Sequence, residues 1–158
     1  MTVDLTFDTD FLLEFLERFS ITEWNTWMKR LFERNLVCSV WSGIQEPPPL
    51  TLSFDLRGAD LRNLNLDGLD LTECDLTGTN FSYASLRGAR FRWCPAAVFV
   101  GADLREARFD CGQISAVNFT DAELSGMRFD DVRYNIAMPP KGLPEHLMRC
   151  CKGEVEDA

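Results

Sequence analysis

Residues 54–71 read Phe54-Asp-Leu-Arg-Gly-Ala-Asp-Leu-Arg-Asn-Leu-Asn-Leu-Asp-Gly-Leu-Asp-Leu71. A large apolar residue returns every five positions, at Leu56, Leu61, Leu66 and Leu71, and a second apolar residue stands two before each, at Phe54, Ala59, Leu64 and Leu69. An α-helix repeats its faces every 3.6 residues and a strand every two, so a period of five fits neither. It fits a chain that turns a corner after every five residues, with four such sides closing one square coil.

The period continues through Leu76, Phe81, Leu86 and Phe91, slips by three, and resumes at Phe99, Leu104, Phe109, Ile114, Phe119, Leu124, Phe129 and Tyr134. No centre is polar apart from the hydroxyl of Tyr134. The residue two before a centre is small or apolar throughout, with Thr79 the one conventionally polar exception. One large and one small inward position per side fill a dry interior. The residue just before a centre is often Asp or Asn (Asp55, Asp60, Asn65, Asp70, Asp75, Asn80, Asp103, Asn118), side chains that hydrogen-bond to turn backbone.

The copies Ala59-Asp60-Leu61-Arg62-Asn63 and Ala102-Asp103-Leu104-Arg105-Glu106 resemble the A(D/N)LXX consensus of the pentapeptide-repeat family. The resemblance spans about residues 54–136 and implies a right-handed quadrilateral parallel β-helix. Pro139-Pro140-Lys141-Gly142 likewise resembles the exit from a last coil in that family. The expected fold class is an all-β solenoid of about four coils with a small α-helical N-terminal segment. Counting four centres per coil stacks Leu56, Leu76, Phe99 and Phe119 on the first face, and makes the extra residues at 93–97 bulge from a corner.

Residues 1–36 read as two amphipathic helices. Phe11, Leu12, Phe15, Leu16 and Phe19 recur at helical spacing, and Ser20 with Glu23 forms a capping box for the second helix. A coil stack leaves two open ends, so these helices are expected to cap Phe54 and Leu56. Residues 37–49 are a connector ending in Pro47-Pro48-Pro49, residues 50–136 the repeats, and residues 137–158 a C-terminal cap and tail.

Composition narrows the function. A net charge of −9 opposes direct nucleic-acid binding. No apolar run reaches a membrane span and no secretory leader is visible, so a cytoplasmic protein is expected. Cys38, Cys74, Cys94, Cys111, Cys150 and Cys151 show no zinc spacing and read as reduced thiols, with the adjacent Cys150 and Cys151 incidental. The single histidine, His146, lies in the tail, so no nucleophile–His–acid set can be assembled. A filled interior offers no pocket for a small-molecule substrate. The expectation is a non-enzyme without metal or cofactor.

Two binding roles remain. Trp93, Pro95, Val98 and Val100 form an outward apolar cluster, which reads as a protein interface or a self-association site; the alternative is that the helices or the tail cover it. Some members of the family mimic DNA and protect gyrase from quinolones, and the resemblance carries that as the alternative function. It requires a continuous acidic face. The repeats hold thirteen acidic and nine basic residues over 50–136, with Asp55, Asp60, Asp75, Asp103 and Glu123 expected on the first two faces.

Overall fold

The computed structural model describes residues 3–27, 29–30 and 50–154. The connector expected at 37–49 and Cys38 lie outside the described residues. The first strand, β1 (Val3–Phe7), is followed by helix α1 (Thr9–Arg18) and a second helix, α2, at 21–27. The solenoid carries β2 (Leu50–Asp55), β3 (Cys74–Asp75), β4 (Arg90–Trp93), β5 (Arg108–Gln113), β6 (Arg128–Asp130) and β7 (Arg133–Asn135). A four-residue helix, α3 (Glu145–Met148), and strand β8 (Lys152–Glu154) follow. Every strand pairing among the described residues is parallel, as a coil that always winds one way requires.

The sides are short because corners recur. Two residues after most centres the backbone turns left-handed, at Gly58 (φ 66°) and also at Tyr83 (60°), Ala96 (57°) and Ala116 (58°). The residue before the centre braces the turn. Asp55, Asp60, Asn65, Asp70, Asp75, Asn80, Asp103 and Asn118 each accept from the backbone N–H two residues on, at 3.0–3.3 Å.

Backbone pairing between rungs fixes which centres stack. Leu56, Leu76, Cys94 and Ile114 donate from their N–H groups to Asp75, Trp93, Gln113 and Arg133, each on the rung above. Face one is therefore the column Leu56, Leu76, Cys94, Ile114 and Tyr134. The bridges Asp60 to Asn80, Asn80 to Val98 and Val98 to Asn118 make face two Leu61, Phe81, Phe99 and Phe119. The last three rings of that column lie nearly parallel with centroids 5.0 and 5.3 Å apart. Face three is Leu66, Leu86, Leu104 and Leu124, and face four Leu71, Phe91, Phe109 and Phe129. The chain thus makes four complete coils and begins a fifth at Tyr134. All these centres are buried except Leu124 and Tyr134, which lie partly exposed at the C-terminal end.

This corrects the expected stacking after Phe91. Phe99 stacks above Phe81 and not above Leu76, and no loop bulges at 93–97. The side running from Phe91 to Cys94 is three residues long, and Cys94 occupies a centre, fully buried. The coil from Phe91 to Phe109 is consequently eighteen residues where that from Leu71 to Phe91 is twenty. The next coil returns to full length, and its surplus is absorbed in β5: Phe91 pairs with Phe109 but Trp93 pairs with Gln113. Cys111 turns left-handed there (φ 48°), and Gly112 lies so close to β4 that a Cβ would stand 1.6 Å from the Arg92 carbonyl oxygen.

The N-terminal end is closed by aromatic packing and by borrowed hydrogen bonds. β1 adds a rung to face one in register with β2, from Val3 opposite Leu50 to Phe7 opposite Phe54. This strand was not expected; residues 1–36 are not helical throughout. Phe7 stacks on Phe54 at 4.9 Å, and Trp24 and Trp27 meet the same ring edge-on. Ser20 and Glu23 exchange the reciprocal backbone bonds of a capping box at 3.2 and 2.8 Å. At the corner between faces three and four no earlier coil stands among the described residues. The Asn25 amide substitutes for one, donating to the Gly68 carbonyl and accepting from the Asp70 N–H, while the Trp24 indole donates to the Asp70 carbonyl. At the other end Leu147 of α3 is buried, and β8 adds a rung to face one above β7.

Replacing Gly112 by alanine should therefore cost about 2–3 kcal/mol, since overpacking here presses on backbone that cannot rotate away. Gly58→Ala has open space around it and meets only the left-handed penalty of about 1–2 kcal/mol. Denaturant melts of both variants check this ordering, with Gly112→Ala the less stable.

Candidate interaction surface

The outward positions divide the solenoid by charge. On coils two to four, faces one and two are formed by residues 75–83, 93–101 and 113–121, of which only Asp75 and Asp121 are charged. Faces three and four of the same coils, residues 84–92, 102–112 and 122–131, carry six acidic and six basic side chains.

Those charges are paired along and between rungs. Arg105 clamps Asp103 with contacts of 2.9 and 2.6 Å. Arg90 bridges Asp70 below it and Asp110 above it, at 3.1 and 2.9 Å, and Arg108 reaches up to Asp130 at 3.0 Å. On the first coil Arg57 and Arg62 clamp Asp55 and Asp60 in the same bidentate way. Exposed pairs of this kind contribute little singly, but they leave few carboxylates unoccupied. The corrected register also moves Asp103 and Glu123 to face three, so the five expected acids spread over three faces and form no continuous acidic wall.

The charge-poor strip contains the residues singled out from the sequence. Trp93 and Pro95 flank Cys94 on face one, and Val98 and Val100 flank Phe99 on face two. All four belong to one rung, bent through a right angle at Ala96. Trp93 is 49% exposed, and Pro95, Val98 and Val100 are half-buried. The sequence reading missed three neighbours. Tyr83, 65% exposed, lies across Gly101 at the far corner of face two, and a tyrosine with positive φ is a rare conformation. Met138 stands exposed above Ala116, whose N–H donates to its carbonyl, and Ile136 is exposed on the turn just before it. The described N-terminal helices pack at Phe54 and at the 68–70 corner, away from this strip.

A family model for pentapeptide repeats matches residues 55–92 and 97–133 in eight copies. The chain belongs to the pentapeptide-repeat family. The interruption in the match falls on the shortened side that holds Cys94. Similar solved structures are those of pentapeptide-repeat proteins from the Arabidopsis thaliana thylakoid lumen (24% identity, TM-score 0.42, 48% of this chain and 53% of that one) and from the cyanobacterium Cyanothece 51142 (23%, 0.38, 60% and 66%). A third is from Nostoc Pcc 7120 (24%, 0.32, 64% and 81%). The chain thus spans about half the length of the thylakoid-lumen protein and about two thirds of the Cyanothece one. A search of curated protein sequences gave no match.

Among the described residues of this pentapeptide-repeat solenoid, no group of three or more His, Cys, Asp or Glu side chains is placed to hold a metal ion. His146 is exposed. Burial pushes the Cys74 and Cys94 thiols far above their ordinary range, and that of Cys151 up to about 11. No described helix is long and apolar enough to cross a membrane.

The carboxylates respond in the opposite direction. The Arg57 guanidinium and backbone N–H hold Asp55 down at about 2, and Arg62 and Arg105 lower Asp60 and Asp103 likewise. A depressed folded value means stability present above the unfolded value near 4 and lost as pH falls toward 2. The melting temperature should therefore drop over that window. Asp55→Asn keeps the turn bond, as Asn65, Asn80 and Asn118 show, but loses the titration. Thermal melts from pH 5 to 2 should show a smaller acid-induced drop for this variant than for the parent.

Proposed function

We propose that this pentapeptide-repeat protein is a non-enzymatic scaffold that binds another protein surface through the charge-poor strip on faces one and two. The observation that carries the reading is the segregation of charge: on three adjacent coils faces one and two carry two charged residues, Asp75 and Asp121, against twelve on faces three and four. Interface centres are depleted in charge and enriched in aromatic anchors; Trp93 supplies one at the start of the 93–101 rung, and Tyr83, from the rung below, lies across Gly101 at its end. The columns at 4.8 Å spacing make the surface rigid, so little order is lost on binding.

The absence of catalysis is part of the same proposal. It is supported by an interior filled with side chains and by carboxylates already engaged with turn amides and arginines. A cytoplasmic setting is also proposed, supported by the five free cysteines among the described residues. Gyrase binding by DNA mimicry is the weaker reading, because arginines interrupt the acidic columns on every charged face.

Substituting Trp93 and Val98 together by serine should abolish association with a partner while the melting temperature stays within a few degrees. Association unchanged in that variant would overturn the proposal. In a supercoiling assay, micromolar protein should neither inhibit gyrase nor protect it from a quinolone.

A further inference from the structure

The fifth coil is only half built. From Asn118 on face two to Arg133 on face one the chain advances fifteen positions and lays down faces three and four on the way. The same two columns one rung higher hold Lys141 and Lys152, and the chain joins them in eleven positions that include helix α3. Faces one and two thus rise above the fourth coil, while faces three and four stop at residues 122–131. The rim left there is a step. One rung lower, the Leu104 and Glu106 N–H groups donate upward to the Glu123 and Ser125 carbonyls, and the Ala102 and Ala107 carbonyls accept from the Glu123 and Arg128 N–H groups. Their counterparts on the rim are the Leu124 and Gly126 N–H groups and the Ala122 and Met127 carbonyls. None of these four has a partner among the described residues.

An ion-pair ladder breaks off at the same rim. Arg90, Arg108 and Arg128 form one column on face four. Arg90 reaches up to Asp110 at 2.9 Å, and Arg108 reaches up to Asp130 at 3.0 Å. Arg128 is exposed, has no rung above it to supply the next carboxylate, and forms no ion pair among the described residues. We propose that this step is a docking site for an extended, acidic segment of a partner protein, separate from the strip on faces one and two. The segment lies parallel to residues 122–130 as the two missing sides of the fifth coil and completes the four open backbone hydrogen bonds. It sets an Asp or Glu beside Arg128, where the column of Asp110 and Asp130 would continue. Strand addition to an open sheet edge draws its affinity from such backbone bonds and its specificity from alternate side chains. Charge selects the occupant: a carboxylate there completes the ladder, whereas a basic residue would face the Arg128 guanidinium.

Amide hydrogen exchange on the whole chain, with and without a synthetic peptide of the sequence of residues 122–131, tests this. That peptide repeats the rim's own rung, so it places Phe and Asp over Phe129 and Asp130. The Leu124 and Gly126 amides should exchange fast in the free protein and slow as peptide is added up to millimolar concentration. Arg128→Glu should melt as the parent does, since the side chain is exposed. It should weaken the peptide by about threefold to tenfold, the worth of one exposed or partly desolvated ion pair. The same variant should in turn prefer a peptide carrying Asp130→Lys. Amides that do not slow at millimolar peptide overturn the proposal. Binding indifferent to Arg128→Glu also overturns it, as does binding lost in the Trp93/Val98 variant, which would put the peptide on the strip. The same amides slowing with protein concentration, without peptide, would make the occupant a second copy. Amides slow in the free chain that speed up on deletion of residues 155–158 would make it this chain's own tail. Either result contradicts a partner segment.

Discussion

A coil that winds always in one direction can satisfy its backbone only against the coil above and the coil below. Each rung must therefore place its N–H and C=O groups over those of its neighbours, and each centre must find a centre beneath it. That one requirement organises the molecule. It permits a side to shorten, as between Phe91 and Cys94, provided that the coil still has four sides. It also transmits the change upward, so that β5 bends at Cys111 and Gly112 where it regains the missing residues. Phe81, Phe99 and Phe119 then stack as parallel rings despite an eighteen-residue coil between the first two.

The same requirement makes the ends expensive. At the N-terminus the solution is chemical imitation. β1 supplies a rung to face one, and a single asparagine amide replaces a peptide group at the 68–70 corner. Unpaired peptide groups at that position would each cost about 1–3 kcal/mol if shielded from water. Seven aromatic rings, from Phe7 to Trp27 together with Phe54, then cover the open interior. The C-terminal end is closed more lightly. Leu147 is buried there, yet Leu124 and Tyr134 remain partly accessible.

The fold was legible because its signal is a repeat: sixteen apolar centres cannot be arranged otherwise without breaking the period. The register beyond Phe91 was not, because Cys94 is neither Leu nor Phe and Arg92 stands where a small residue is usual. The clue was closure. Eight residues between Phe91 and Phe99 divide into sides of three and five, and only that division keeps four sides to the coil. β1 hid in a segment read wholly as helix, although Val3, Leu5 and Phe7 alternate with polar residues as a half-buried strand does. Of the surface, Trp93, Pro95, Val98 and Val100 could be named from the sequence. Tyr83, Ile136 and Met138 could not, since their proximity depends on which rung overlies which.

The charge-poor strip, and with it the scaffold reading, exists only if residues 93–101 continue the regular wall, with Cys94 pointing inward. A pulse of alkylating reagent on the native protein, with the modified cysteines located by mass spectrometry, tests this directly. Cys111 and Cys150, which are exposed, should react within the pulse, while Cys94 should stay unmodified until denaturant unfolds the chain. Modification of Cys94 as fast as Cys111, in protein that still melts cooperatively, would place residues 93–97 in an outward loop and contradict the account.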